Sequence, residues 1–266
     1  MPASRAGVLD PGAVEFYRDA LTRLHEANIP FLVGGAYAFA RYTGIERHTK
    51  DFDIFLSRED CERAMRRLEE GGYHAELTFP HWLAKAFHGD SVIDLIFASG
   101  NGVTQVDQSW FEYAVPDEVL GVPVGLCAPE EMLAQKCYLM ERERFDGADV
   151  AHIIRSEGQR LDWKRLVQRF GENWRVLLAH LVLFGFIYPR DRTRAPAWVV
   201  RELTGRLPAE LEEPADDDRC RGTLLSREQY LIDVDRFGYT DARLRPDGAM
   251  SRPEVAHWTA AIDKRD

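Results

Sequence analysis

Two aspartates separated by a single residue mark the part of this sequence best suited to chemistry. Asp51 and Asp53 lie in the mostly apolar segment 51–56, which is typical of a β-strand. Because residues i and i+2 of a strand face the same side, both carboxylates would project from one face. They repel each other unless a cation lies between them, and Mg²⁺ favours carboxylate oxygens together with substrate phosphates. The pair alone is equally typical of a strand with one solvated face.

A third acid and a glycine pair make a chemical role more specific. Asp94 lies within the apolar segment 92–97, where a lone carboxylate would be costly without a partner. If that strand pairs beside the first, three carboxylates converge. Gly34 and Gly35 follow a short predicted strand and open a helix, a geometry that lets backbone N–H groups approach phosphate oxygens. The glycines alone also suit a simple tight turn, but the order of the three features favours a site for metal and phosphate.

This order of motifs resembles the nucleotidyltransferase superfamily, whose fold is shared by DNA polymerase β and the antibiotic-modifying nucleotidyltransferases. That superfamily has a Gly-Gly or Gly-Ser turn, then a strand bearing Asp-x-Asp, then a third acid on a neighbouring strand. A finer pattern is similar to the branch that contains the AbiEii-type toxins and related bacterial nucleotidyltransferases. It consists of Arg47, Thr49, Asp51 and Asp53 at alternate positions.

The resemblance implies an enzyme that moves a nucleoside monophosphate from a nucleoside triphosphate, such as ATP, to a hydroxyl acceptor and releases pyrophosphate. It implies that Asp51 and Asp53 hold two Mg²⁺ ions, with Mn²⁺ as a substitute. Asp94 would complete the metal site on the side of the nucleophile and accept the proton of the acceptor. Gly34 and Gly35 would donate backbone hydrogen bonds to the phosphates.

Further cations are expected to bind the nucleotide. Lys136 as a point charge and Arg47 as a planar fork would neutralise the triphosphate, and Thr49 belongs to the same nucleotide-binding motif. AbiEii-like proteins carry a comparable segment of a lysine followed by Arg-x-Asp-x-x-Asp. Here the segment supplies three further residues that would contact the nucleotide-binding side chains rather than the nucleotide itself: Arg144, Asp146 and Asp149. The two aspartates have an alternative interpretation as a capping box that starts the next helix.

The elements that must position these residues follow from hydrophobic periodicity and turn signals. Together they predict an α+β fold, with a nucleotidyltransferase-type mixed sheet and flanking helices followed by a helical domain. Strands are predicted at 31–33, 51–56, 73–79, 83–88 and 91–97, with another pair around Gly121. Helices are predicted at 12–27, 36–42, 58–70, 129–143, 147–156, 162–170, 172–187 and 253–262.

The same pattern divides the chain into three parts. Residues 1–127 would form the nucleotidyltransferase core, and residues 128–190 a helical domain. Residues 191–266 contain several prolines and an acidic run, which predict a less regular extension that ends in a helix.

Composition limits the partners and the location. The net charge of −10 argues against a nucleic-acid binder that uses its whole surface, although the Lys- and Arg-rich segment 136–175 leaves room for a local basic face. The longest apolar run, at 177–188, is shorter than the ~20 residues of a membrane span and predicts a buried helix. Four cysteines without metal-ligand spacing, and no targeting segment, predict a cytoplasmic protein.

The acceptor and one competing function class remain open. A tRNA 3′ end, a protein hydroxyl and a small molecule are all compatible with the resemblance. The competing class is a non-catalytic regulatory module with the nucleotidyltransferase fold, for example one partner of a toxin–antitoxin pair that binds a cognate antitoxin. A third alternative is that the carboxylates bind a purely structural metal.

Overall fold

The chain has an α+β architecture, as the sequence predicts. The computed structural model describes residues 11–47, 51–212 and 217–262. Within these residues the α-helices are α1 (Pro11–Glu26), α2 (Gly35–Thr43), α3 (Arg58–Glu70), α4 (Gln108–Glu112), α5 (Pro129–Cys137), α6 (Gly147–Glu157), α7 (Trp163–Phe170), α8 (Trp174–Ile187), α9 (Ala197–Glu212), α10 (Leu231–Arg236) and α11 (Arg252–Ala260). The strands are β1 (Leu32–Val33), β2 (Asp51–Phe55), β3 (His74–Phe79), β4 (Leu83–His88), β5 (Ser91–Ile96), β6 (Val115–Val119), β7 (Val122–Leu126), β8 (Arg219–Cys220) and β9 (Thr240–Asp241).

Seven strands form one mixed sheet in the order β3-β4-β5-β2-β1-β7-β6. Strand β2 pairs in parallel with β5, while β1 is antiparallel to β2 and parallel to β7. Strand β4 is antiparallel to β5, and β6 is antiparallel to β7. The strand that carries Asp94 therefore lies directly beside the strand that carries Asp51 and Asp53, which was the condition for bringing the three acids together.

The core lies on the face of β2 opposite the aspartates. Phe52 and Ile54 are fully buried. The Phe52 ring contacts Tyr17 of α1, with centroids 5.0 Å apart, and Tyr37 of α2, with centroids 4.8 Å apart. Because side chains alternate along a strand, packing these apolar residues against α1 and α2 forces Asp51 and Asp53 to the other face.

Local signals set the boundaries around the site. Ser57 starts α3 because its hydroxyl accepts the Asp60 N–H at 3.0 Å, the hydrogen bond of a helix-capping serine. Gly89, with φ of 57°, lies in the two-residue turn that joins β4 to β5 and pairs His88 with Ser91. These turns fix the register of the strands that carry the acids.

The described residues group into two compact units. The first contains those up to Ala128 together with those from Arg252 onward, and the second lies within Pro129–Ser251. Helix α11 belongs to the first unit, where Trp258 packs so closely on Gly100 that an added Cβ would lie 2.7 Å from the indole ring. The division of the chain at residues 127 and 190 stays a prediction.

One expectation for the second unit is wrong. Helix α5 ends at Cys137 rather than near residue 143, because the buried Glu141 accepts hydrogen bonds from Arg227 at 2.6 and 2.8 Å. Within the predicted C-terminal extension the structure contains the 16-residue helix α9, which includes Pro208.

Helix α8 corresponds to the apolar run that predicts a buried helix, and burial holds for one side only. Leu177, Leu181 and Phe184 are buried, whereas Val182 and Phe186 are exposed. Among the residues described, the helical run Trp163–Ile187 is long and apolar enough to cross a membrane by length and composition, with 39% of its apolar window buried. Core helices of soluble proteins have the same length and composition, so this run does not identify a membrane span.

Candidate active site

The parallel pairing of β2 with β5 places three aspartates on one face of the sheet. Asp53 is the register partner of Asp94, and Asp51 lies two residues before Asp53 on the same side of β2. Asp51 is exposed, Asp53 is half-buried, and Asp94 is 8% exposed. The carboxylates therefore run from the solvent-facing end of β2 toward the interior of the sheet.

The two glycines before α2 are required for different reasons. Gly34 has a φ of −128°, open to any residue, but a Cβ there would overlap the Phe55 ring. Gly35 has a φ of 51°, and a Cβ there would overlap Oδ2 of Asp53. The Gly34 N–H also donates to the Asp53 carbonyl oxygen at 3.0 Å. The start of α2 is thus held against the Asp53 carboxylate, at a helix end where N–H groups favour anions.

Asp94 has a cationic neighbour that the sequence analysis did not identify. Lys85 of β4 donates from Nζ to Oδ1 of Asp94 at 2.6 Å. Burial raises the pKa of Asp94, the charge and hydrogen bond of Lys85 oppose that effect, and the charge of Asp51 adds to it, leaving the pKa above its ordinary value. The signal was present in the sequence, because a two-residue turn at Gly89 pairs residue 88 with 91 and therefore 85 with 94.

The donor set suits a hard divalent cation, but its side chains are not arranged around one. Oxygen ligands from carboxylates are those that Mg²⁺ and Mn²⁺ prefer. Within the described ranges, no group of three His, Cys, Asp or Glu side chains is placed to hold a metal ion. Because Oδ1 of Asp94 contacts Lys85, the lysine and a cation shared by the three aspartates would compete for this carboxylate. The residues fit Mg²⁺ in chemistry and in shared face.

Of the two other residues of the predicted nucleotide-binding motif, the structure describes Arg47 but not Thr49. The guanidinium of Arg47 lies over the Phe39 ring of α2, 4.6 Å from its centroid. Thr49 falls in residues 48–50, outside the described residues. Nucleotide binding by Arg47 and Thr49 stays a prediction.

Lys136 lies in a compact ion-pair cluster of the second unit. Its Nζ donates to Asp146 at 2.8 Å and to Asp149 at 2.7 Å, while Arg144 makes two hydrogen bonds to Asp146 at 2.9 and 3.0 Å. Burial acts to raise the pKa of Asp146, but Arg144 and Lys136 outweigh it and hold that pKa below its ordinary value. Asp146 precedes α6 without capping it through its side chain, so the capping-box interpretation is wrong. Nucleotide binding by Lys136 stays a prediction.

Other cations of segment 136–175 are also engaged within the second unit. Arg165 and Arg169 of α7 both form ion pairs with the fully buried Glu131 of α5, and Arg165 also pairs with Glu130. Their side chains are only 11% and 18% exposed. The density of basic residues in the sequence therefore overstates the positive charge that this segment presents to a partner.

Residues 15–183 match the family described as uncharacterised nucleotidyltransferase. A search of curated proteins finds no match to this chain.

Solved structures with a similar fold are distant in sequence. The antibiotic-resistance factor ANT(2'')-Ia is 19% identical, with 77% of this chain and 95% of that chain covered and a TM-score of 0.40. The lincosamide antibiotic adenylyltransferase LnuA is 15% identical, covering 52% and 94%, with a TM-score of 0.39. The protein JHP933 from Helicobacter pylori is 12% identical, covering 77% and 100%, with a TM-score of 0.40.

Proposed function

The chain belongs to the nucleotidyltransferase family that it matches over residues 15–183, and on this premise we propose that it transfers a nucleoside monophosphate to a hydroxyl acceptor. The acceptor oxygen would form a bond to the α-phosphorus of a nucleoside triphosphate. The bond from that phosphorus to the bridging oxygen of the β-phosphate would break, and pyrophosphate would leave.

The observation that carries the proposal is the shared face of Asp51, Asp53 and Asp94 beside Gly34-Gly35. Carboxylates on one face of adjacent strands supply the oxygen ligands that a divalent cation needs when it also binds phosphates. The start of α2 lies next to the Asp53 carboxylate, and the backbone N–H groups of a helix N-terminus favour binding of phosphate. A structural ion-pair network requires neither the two glycines nor acids in register.

Each residue of this face has a proposed task. Asp51 and Asp53 would hold Mg²⁺ or Mn²⁺, and Gly34 and Gly35 would orient the phosphates. Asp94 would take the proton from the acceptor hydroxyl, a role that suits a carboxylate whose pKa is raised by burial. When bound, the divalent cations would supply positive charge that offsets the charge on the transferring phosphoryl group. Arg47, Thr49 and Lys136 are proposed as additional nucleotide contacts.

The engaged cations of the second unit favour an acceptor other than a nucleic acid. Binding to phosphate backbones requires Lys and Arg that are accessible, whereas Arg165 and Arg169 already pair with the fully buried Glu131. Together with the net charge of −10, this supports a small-molecule or protein hydroxyl over a tRNA 3′ end. RNA binding that weakens steeply with salt would contradict this choice.

Three finer features stay predictions from the sequence. They are a closer relationship to the AbiEii-type toxins, a cognate antitoxin and a cytoplasmic location. The competing function, a regulatory module with this fold and no catalysis, predicts an intact chain that does not bind nucleotide at the aspartate face.

Calorimetric titration of each nucleoside triphosphate in the presence of Mg²⁺ tests the proposed function. The wild-type chain should bind at least one nucleotide, and the double variant Asp51→Ala/Asp53→Ala should lose that binding. The matched control is Glu15→Ala/Glu69→Ala, which removes two exposed carboxylates from the same unit and should bind as the wild type does. Equal binding by the wild type and the aspartate variant would overturn the proposal, and absence of binding by both would favour the non-catalytic module.

A further inference from the structure

The cross-strand pair of Lys85 with Asp94 lies in a row of charged residues that crosses four strands. The register pairs Glu76 of β3 with Lys85, Lys85 with Asp94, and Asp94 with Asp53. Because register partners face the same side of a sheet, the four side chains form one row. The Lys85 side chain is 25% exposed and that of Asp94 is 12% exposed, so their ion pair is largely shielded from water.

Among the described residues of β2, β4 and β5, Lys85 supplies the positive charge on the face that carries the three aspartates. Its ammonium contacts Oδ1 of Asp94, the acid that must join Asp51 and Asp53 for all three to act together. This contact occupies one oxygen of Asp94, whose strand is in register with the strand that carries Asp53.

We propose that Lys85 is a positioning residue that acts as an internal counter-ion for Asp94 and must give up that contact when a divalent cation binds the aspartate face. The inference rests on the proposed function, because it concerns the same carboxylates. Burial of Asp94 is costly without a partner, and Lys85 supplies that partner in the cation-free chain. Glu76, the next residue of the row and exposed, offers a second carboxylate to the released ammonium.

The proposal differs from an ordinary structural role in what it predicts for cation affinity. An ion pair that only stabilises the β4-β5 hairpin would leave cation binding unchanged when Lys85 is replaced. A counter-ion that competes with the cation would make binding tighter when it is removed, because the cation no longer displaces an ammonium or remains close to one.

The experiment is calorimetric titration of the full chain with Mn²⁺ alone, without nucleotide. Lys85→Met should bind Mn²⁺ at least tenfold more tightly than the wild type. In the Asp94→Asn background the same lysine substitution should change the affinity less than twofold, because the lysine acts through that carboxylate. Lys164→Met is the matched control, since it removes an exposed lysine of the second unit and should leave Mn²⁺ affinity unchanged.

Unchanged or weaker Mn²⁺ binding by Lys85→Met would overturn the inference. Circular dichroism melting checks the fold of each variant, and Lys85→Gln, which keeps a polar head without the charge, replaces Lys85→Met if that variant does not fold. Failure of the proposed function has a different signature: Mn²⁺ would bind equally to the wild type and to Asp51→Ala/Asp53→Ala, whatever residue stands at position 85.

Discussion

Two lysine–aspartate clusters, one in each unit, use the same chemical groups and differ in electrostatic balance. In the first unit Lys85 contacts Asp94 on a sheet face that also carries Asp51 and Asp53. In the second unit Lys136 contacts Asp146 and Asp149, and Arg144 adds a further positive charge. The pKa of Asp94 is raised in the first cluster, and the pKa of Asp146 is lowered in the second.

The charge balance of the two clusters distinguishes a binding site from an ion-pair network that only stabilises the fold. In the second cluster, cations and carboxylates match in number, so the charged form of Asp146 is favoured and the network stabilises the fold. In the first, the folded chain keeps a carboxylate whose charged form is disfavoured, which is a cost that a bound cation would relieve. Matched substitutions in the two clusters should therefore affect different properties.

The largest expected effect is loss of nucleotide binding in Asp53→Asn. Replacing residues that only support a metal ligand typically costs about 10–100-fold in metal affinity, so removal of a direct ligand should weaken binding of nucleotide with Mg²⁺ by about a hundredfold or more. Thermal melting should stay close to that of the wild type, because Asp53 is half-buried at the edge of the core. Calorimetry measures the affinity. If Asp53→Asn binds nucleotide as tightly as the wild type, the first cluster is not a binding site and does not differ from the second in this respect.

The next effect is on stability and concerns the two lysines. Lys136→Met should lower the free energy of unfolding by about 3 kcal/mol, because it leaves two largely buried carboxylates without that cation. Lys85→Met should lower it by less than Lys136→Met does, because Lys85 contacts one carboxylate whereas Lys136 contacts two. Urea denaturation of both variants gives the comparison, and equal losses would show that the two clusters have the same role.

A third prediction separates backbone strain from contact with the carboxylate. Gly35→Ala and Gly89→Ala both place alanine at a φ above 50°, which should cost each variant about 1–2 kcal/mol of stability. Only at Gly35 does the new Cβ meet Asp53, whereas nothing lies within 4 Å at Gly89. Mn²⁺ affinity should therefore fall in Gly35→Ala alone. A similar fall in Gly89→Ala would mean that strain in the sheet, rather than the contact, controls the site.

The smallest effect concerns pH and has opposite signs in the two clusters. The lowered pKa of Asp146 contributes stability that is present above the ordinary aspartate value of about 3.9 and is lost as the pH falls through the lower folded value. The raised pKa of Asp94 makes its ionised form a cost at neutral pH, and that cost disappears as the pH falls through the raised value.

Calorimetric melting of Asp146→Asn and Asp94→Asn at pH 7 and at lower pH measures both signs. At pH 7 Asp146→Asn should be less stable than the wild type, and Asp94→Asn should be equally or slightly more stable. Both differences should shrink in acid. If Asp94→Asn is clearly destabilised at pH 7, the contact with Lys85 outweighs the burial cost of Asp94.

Local signals made most of the first unit predictable. The alternation in β2, the capping serine of α3 and the two-residue turn at Gly89 are each encoded within a few residues, and the structure confirms all of them. The shared face of the three aspartates needed one long-range event, the pairing of β2 with β5. That event could be anticipated because both segments carry an acid within an apolar strand.

What escaped prediction depends on contacts between residues distant in sequence. The end of α5 is set by Glu141 meeting Arg227, which lies 86 residues later. The ion pairs of Lys136 likewise require the chain to turn back after α5, whereas the contact of Lys85 with Asp94 follows from the local turn at Gly89 and was overlooked. Hydrophobic periodicity reports which face of an element is buried and says nothing about which charges meet.

The placement of α11 affects how the first unit can fold during translation. The helix completes the first unit, with Trp258 covering Gly100, yet the whole second unit is translated between the two parts. At ribosomal rates of about 5–20 residues per second, the nascent aspartate-bearing sheet waits on the order of ten seconds for its last helix. During that interval the surface that Trp258 later covers is exposed to solvent.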